Sequence, residues 1–369
     1  MGYYSTFFFL SAALLAVFTG SIVDKLGPKK GFLLGVACLG FMSMLFGLSP
    51  TYTFLLILAL FAGLGFSIIT PSANKGVMME TPPGKRAISM GIMQSGGGIG
   101  GLAGASLLPL LGEAFGWRMT VQFAGVFIIL TALVVFKFYR EGARNNNRED
   151  KVVNSNENVN EDGMETLPSL KENLCFFLAQ KRFLMLCLFG AVLAGSSVGA
   201  VLSHFAVFLS EDLNMSRAAA GLGLGVFHVG GMIGRPAWGW VSDRFLKGDR
   251  EKTLVLLGLV AGIMFLITGS LLHNSYLPPA MVYVFSFFLG FNIFSWPGVL
   301  FVAVGEFAGE MRTGAATGLA LLSGRVAILT APPIFGLLAD FQGNYSYSWV
   351  FFGTLLIVVT FFYHLNSSK

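Results

Sequence analysis

The sequence predicts an all-α integral membrane protein made of two similar helix bundles, on three observations. Apolar runs of about 18 residues or more, long enough to cross a hydrocarbon layer, recur along the whole chain. Hydrophobic residues make up 54% of the 369 and charged residues only 12%, with a mean hydropathy of +0.72, which excludes a water-soluble domain. One polar stretch interrupts the runs near the middle, and a sequence signal on its N-terminal side returns on its C-terminal side.

Eleven runs qualify as spans: 3–22, 31–48, 53–77, 87–111, 117–139, 183–209, 217–241, 253–272, 278–304, 313–338 and 346–365. Their loops alternate in charge. Lys25, Lys29 and Lys30 follow the first run, Lys85 and Arg86 the third, and a basic series from Lys137 to Arg182 the fifth. Arg244, Lys247, Arg250 and Lys252 follow the seventh, Arg312 the ninth and Lys369 the last. The opposite loops hold only Arg118 and Arg217. By the positive-inside rule the first set, with the linker and the C-terminus, is expected in the cytoplasm of a multi-pass cell-membrane protein. The net charge of +5 follows from this topology, so no nucleic-acid partner is expected.

Residues 140–182 form the expected linker between bundles at 1–139 and 183–369. Its first part is too polar to bury a core. Residues 166–182 recover an apolar face with Leu170, Leu174, Phe177 and Leu178, which predicts a helix on the inner surface; a simple lead-in to the next span is the other reading.

At the cytoplasmic end of its span each half carries the same pattern. Gly20, Asp24, Lys25, Gly27, Lys29 and Lys30 stand in the first half, and Gly239, Asp243 and Arg244 repeat the core of it in the second. The glycine permits close helix packing, and the acid can cap a helix start and pair with a base, so the loops are expected to govern conformational exchange. This doubled pattern resembles the signature loop of the major facilitator superfamily. The resemblance implies two pseudo-symmetric six-helix halves with a site near the midplane and alternating access. It also implies twelve helices with the first signature after the second, so the chain, with eleven, reads as beginning at helix two.

Arg235 and Arg325 lie inside spans that contain no aspartate or glutamate. Arg325 is about 12 residues, roughly 18 Å of helix, from either end of its run, and Arg235 is about 10 Å from the cytoplasmic end of its own. An intramembrane cation is costly and calls for a partner, and an anionic substrate would supply one. His228, seven residues before Arg235, shares its face and is a candidate for the anion or a coupling proton. His204 is a weaker candidate in the outer half of its run. Asn292 and Trp296 share a face at i, i+4, and Pro297 with Gly298 can break that helix; interhelical bonding is the bland reading of both polar residues. Asn74 and Gln94 are further cavity candidates, while Lys75 is expected to snorkel. Gly96, Gly98 and Gly101 match a dinucleotide fingerprint, but no strand precedes them, so close helix packing is expected instead.

Arg235-Pro236 followed by Trp238, Gly239 and Trp240, together with the block from Thr317 to Asp340 around Arg325 and Pro332-Pro333, resembles the monocarboxylate transporters. In the related oxalate/formate exchangers, basic residues of these two helices hold carboxylates, which implies that role for Arg235 and Arg325. The resemblance also implies an acid one turn before the first arginine; Gly231 stands there and removes that proton route. Gly97 replaces the proline of the antiporter motif, which leaves symport and antiport open. The expected function is secondary transport of a small mono- or dicarboxylate by a monomer in the lipid bilayer, with no cofactor, metal or catalytic residue. Cys38, Cys175 and Cys187 show no ligand spacing and read as small apolar residues. A proton-driven exporter of drug-like solutes would need an intramembrane acid. An enzyme would need clustered nucleophiles or carboxylates, and a non-transporting sensor remains the third alternative.

Overall fold

The computed structural model describes residues 2–139, 169–272 and 278–367; the linker from 140 to 168 and Lys369 lie outside them. Among the described residues the chain is helical with no strand. In order run α1 (Gly2–Leu14), α2 (Ala16–Leu26), α3 (Pro28–Gly47), α4 (Tyr52–Glu80), α5 (Arg86–Phe138) and α6 (Leu170–Ala179). Then follow α7 (Lys181–Glu211), α8 (Arg217–Trp240), α9 (Arg250–Ile267), α10 (Pro279–Ile293), α11 (Trp296–Ala308), α12 (Thr313–Gln342) and α13 (Ser346–Ser367).

Eight helices among the described residues are long and apolar enough to cross a membrane, or nine if the bent pair formed by α1 and α2 is one span. That is fewer than the eleven runs of the sequence. The helix α8 is absent from the eight: it is rich in glycine and carries Arg217, His228 and Arg235, which lower its hydropathy.

Two compact units divide the chain. One holds residues 1–80, 107–176 and 308–318, the other 81–106, 177–307 and 319–369, so α5, α6 and α12 each contribute to both. In the first unit α3 packs along α4, and α1 and α2 lie on α4 as well. In the second, α8 packs on α10 and α9 on α13.

Glycine makes these contacts close. A Cβ on Gly35 would stand 2.8 Å from the Gly65 carbonyl oxygen, and one on Gly65 would stand 2.9 Å from that of Gly35, so α3 and α4 touch backbone to backbone. Gly230 and Gly290 repeat this between α8 and α10, where an added Cβ would overlap the carbonyls of Phe287 and Phe227. Sharp turns also need glycine: Gly27 (φ 83°) separates α2 from α3, and Gly116 (φ 78°) kinks α5 where two spans were expected.

Prolines inside membrane helices free the carbonyl four residues earlier, and hydrocarbon offers no water to satisfy it. At Pro71 and Pro236 neighbouring helices do so. Pro71 of α4 leaves the Ser67 carbonyl, which accepts from Thr19 Oγ1 of α2 at 3.3 Å. Pro236 of α8 leaves the Met232 carbonyl, which accepts from Ser95 Oγ of α5 at 2.8 Å.

Gly290→Val should force α10 off α8 and lower the melting temperature of the purified protein sharply, since overpacking costs about 1–3 kcal/mol even where side chains yield. Gly221→Ala, in α8 with no atom within 4 Å of its Cβ site, should leave it unchanged. Equal melting temperatures for the two variants would contradict this packing.

Candidate functional site

Arg235 sits in α8 one residue before Pro236 and is 8% exposed. Its Nε donates to the Phe294 carbonyl at 3.1 Å and its Nη1 to the Gln94 carbonyl at 2.6 Å, while its guanidinium carbon lies 4.8 Å from the centre of the Phe294 ring. Two of the five guanidinium N–H groups are thereby used. Carbonyl and ring dipoles ease the burial but carry no formal charge, and no carboxylate among the described residues is within ion-pair distance of Arg235. The site keeps a net positive charge.

The break between α10 and α11 builds this cradle. Phe294 ends α10 with φ −101° and ψ 4°, and Trp296 starts α11 with Pro297 in its first turn, where a missing N–H costs nothing. The interruption falls at Phe294–Ser295, just ahead of the expected Pro297–Gly298. Asn292 and Trp296 consequently stand on different helices and do not form the expected i, i+4 pair. The Asn292 amide donates to Phe288 of its own helix at 2.8 Å, and the Trp296 indole donates to Ser197 Oγ at 2.9 Å. Ser197 lies in a π-helical stretch of α7, Gly195–Val201, of the kind often found at functional sites.

His228 is half-buried, and its ring meets Phe294 edge to face, with centroids 5.8 Å apart. Phe294 thus touches both His228 and Arg235. A Cβ on Gly231 would stand 2.8 Å from Phe294 Cβ and 2.9 Å from its Cδ1. The place one turn before Arg235, where the family resemblance implies an acid, is filled by a phenyl ring. Gln94 contributes its main chain to Arg235.

Arg325 lies mid-way along α12, 9% exposed. Its neighbour Gly324 faces Ala194 of α7, and a Cβ on Gly195 would come 3.1 Å from Ala327 Cβ. Asn74 is fully buried in α4 and belongs to the first unit, whereas Arg235, Arg325, His228, Asn292, Trp296 and Gln94 belong to the second. His204 places Nδ1 3.2 Å from the Ala200 carbonyl of its own helix. The glycine run of α5 packs only in part. Gly91 fits against the backbone of Arg235 and Gly98 against Met232, but nothing among the described residues is within 4 Å of the Cβ sites of Gly96, Gly97, Gly100 and Gly101.

The two signature acids have parallel surroundings. In the first unit Asp24 accepts from the backbone N–H of Gly314 at 2.9 Å and of Ala315 at 2.8 Å, in the first turn of α12. Gly20 lets α2 and α12 approach there, because a Cβ on it would overlap the Gly314 carbonyl. In the second unit Asp243 accepts from Ile88 N at 3.0 Å in the first turn of α5, and Gly239 abuts Ala87 in the same way. A carboxylate at a helix N-terminus meets free N–H groups and the positive end of the dipole. The capped helix lies far along the chain in both cases. Each acid also holds a base: Lys75 Nζ is 2.7 Å from Asp24 Oδ1, and Arg250 Nη1 is 2.5 Å from Asp243 Oδ1. Lys75 therefore does not snorkel. Arg250 further grips Glu306 through Nε and Nη2, each at 3.2 Å. The neighbours Lys25 and Arg244 are exposed and form no part of either cap.

Phe294 and Glu306 escaped the sequence reading, as did the ion-pair roles of Lys75 and Arg250. A phenylalanine just before Ser-Trp-Pro-Gly was the available signal for the first, and the seven-residue spacing from Asp243 was the signal for Arg250; Lys75 and Glu306 have partners more than fifty residues away.

Helical spans, a doubled signature and a cationic interior define a membrane transport protein rather than an enzyme. The chain belongs to the major facilitator superfamily, whose family profile matches residues 1–207 and 184–368. It is 26% identical over 357 residues to a gentisate transporter of Corynebacterium glutamicum, covering 95% of this chain and 75% of that one. It is 26% identical over 366 residues to monocarboxylate transporter 12 of Xenopus laevis, covering 94% and 76%. The fold matches the Escherichia coli fucose:proton symporter with a TM-score of 0.77 at 17% identity, over 100% of this chain and 90% of that one.

Lys75→Met should destabilise the protein by about 3–5 kcal/mol, because it strands the Asp24 carboxylate in a buried setting. Adding Asp24→Asn should restore most of that loss, read as thermal stability in detergent. A double variant no more stable than the single one would show that the pair matters little.

Proposed function

We propose that the protein is a secondary active transporter of a small organic anion, a mono- or dicarboxylate, moved by alternating access with its carboxylate at Arg235 and Arg325. The observation that carries this reading is the Arg235 cradle, where a buried guanidinium is held by carbonyls and a ring yet left without a balancing anion. Guanidinium groups suit carboxylates because their paired N–H groups match the two oxygens. Gentisate and monocarboxylates, named for two of the relatives, are carboxylate anions, which supports the same class.

His228 and Trp296 line the binding region in this reading, with Asn292, Asn74 and Gln94 as weaker contributors. Residues 1–139 and 183–369 act as the two bundles, with 140–182 and the C-terminus on the cytoplasmic side of the cell membrane. Gly20, Asp24, Lys25, Gly239, Asp243 and Arg244 set the exchange between conformations. Gly231 takes the acid away from its expected place, so His228 is the coupling-proton candidate on this helix.

Counterflow of a labelled carboxylate in proteoliposomes tests the reading. Arg325→Ala should abolish uptake at matched protein amount, and Arg325→Lys should retain part of it, having kept the charge but lost two-point recognition. Undiminished uptake by the alanine variant would sink the assignment. Asp24→Asn and Asp243→Asn should each slow turnover several-fold with little change in equilibrium affinity, since a cap biases conformations without touching the ligand. Lost affinity at normal turnover would move these residues into the binding site.

A further inference from the structure

The helix α6 begins with a capping box. The Ser169 backbone N–H donates to Glu172 Oε2 at 2.8 Å, and the Glu172 N–H donates to Ser169 Oγ at 3.3 Å. Its inner face is settled by packing: Asn173 and Phe177 are buried and Leu170 and Leu174 half-buried. Phe177 lies 4.5 Å, ring to ring, from Phe183 at the start of α7. Phe176 carries the guanidinium of Arg312 at 4.1 Å. Leu178, expected on the buried face, is instead 57% exposed.

The outer face is a row of Lys171, Cys175, Leu178 and Ala179, all exposed. At Gln180 (φ −92°, ψ 99°) the chain turns into α7, where exposed Lys181 heads a second row with exposed Leu184 and Leu188 at i+3 and i+7. A lysine above leucines on a spanning helix is the arrangement of a headgroup-level cation over lipid chains. Among the described residues the local charges are unbalanced. Glu172 is engaged at its own helix start, and Arg182 pairs with Glu251. Among the described residues neither Lys171 nor Lys181 has an acidic partner.

We propose that α6 and the start of α7 form a docking surface for anionic phospholipid: α6 lies in the membrane interface with Leu178, Cys175 and Ala179 toward the acyl chains, and Lys171 and Lys181 hold the headgroups. A helix of this kind sinks about 5–10 Å into the boundary between headgroups and chains. Clustered lysines beside a span add attraction to an anionic leaflet.

The test uses the full chain with Cys38→Ala and Cys187→Ala, leaving Cys175 for a nitroxide label, in vesicles of phosphatidylcholine with and without phosphatidylglycerol. Spin-label collisions with oxygen should exceed those with a water-soluble nickel complex, and more so when phosphatidylglycerol is present. Adding K171Q and K181Q, both at exposed positions, should raise nickel collisions several-fold and remove the phosphatidylglycerol dependence. A second labelling position, Leu178→Cys with Cys175→Ala, guards against a local effect of the label. A label that stays in water in both vesicle types overturns the proposal. Immersion that ignores both phosphatidylglycerol and the lysine changes overturns it as well, leaving α6 a purely apolar contact.

Discussion

In hydrocarbon every backbone carbonyl released from its helix must find a donor within the protein, and this constraint organises much of the structure. Pro71 and Pro236 each release one, and hydroxyls of Thr19 and Ser95 on neighbouring helices answer. The break between α10 and α11 releases the Phe294 carbonyl, and there the donor is the guanidinium of Arg235. One side chain thereby joins α8, the α10–α11 break and the first part of α5. The same bonds fix the guanidinium in place, which the proposed anion-binding role would require. Under the proposed function, the structural and recognition roles of Arg235 are two results of one set of contacts.

The signature acids obey the same rule at a different place. The first N–H groups of a helix have no partner in their own helix, and Asp24 and Asp243 supply one to α12 and α5. Backbone contact at Gly20 and Gly239 brings the acid within reach, so glycine and aspartate work as a unit. The bases differ: Lys75 offers a point charge to Asp24, while Arg250 spreads its fork over Asp243, Ser242, Glu306 and the Pro83 carbonyl. The second junction is correspondingly the more extensively cross-linked.

The all-helical membrane fold was legible from hydropathy alone, because lipid imposes one local rule on every span. The doubled Gly-x-x-x-Asp was legible as a repeat. Which helix each acid caps was not, since Asp24 and Gly314 lie at opposite ends of the sequence and carry no local trace of their meeting. Lys75 looked like an isolated charge near a helix end for the same reason. At Gln94 the donor's target is a backbone carbonyl, which any residue would provide, so side-chain chemistry gave no guide. The open glycines of α5 mislead in the opposite way: small residues suggest packing, yet among the described residues a Cβ on Gly96, Gly97, Gly100 or Gly101 meets no atom within 4 Å, while one on Gly91 or Gly98 does.

Phe294 reaches the space beside Gly231 that an acidic side chain would otherwise use. The two positions are therefore coupled as neighbours on a mutational path. An aspartate at 231 meets the ring before it can approach Arg235, and a smaller residue at 294 removes the aromatic face from the guanidinium while 231 is still glycine. Either change alone passes through a less well-packed intermediate. Exchanging an arginine cradled by a ring for one neutralised by an acid therefore asks for both positions to change together.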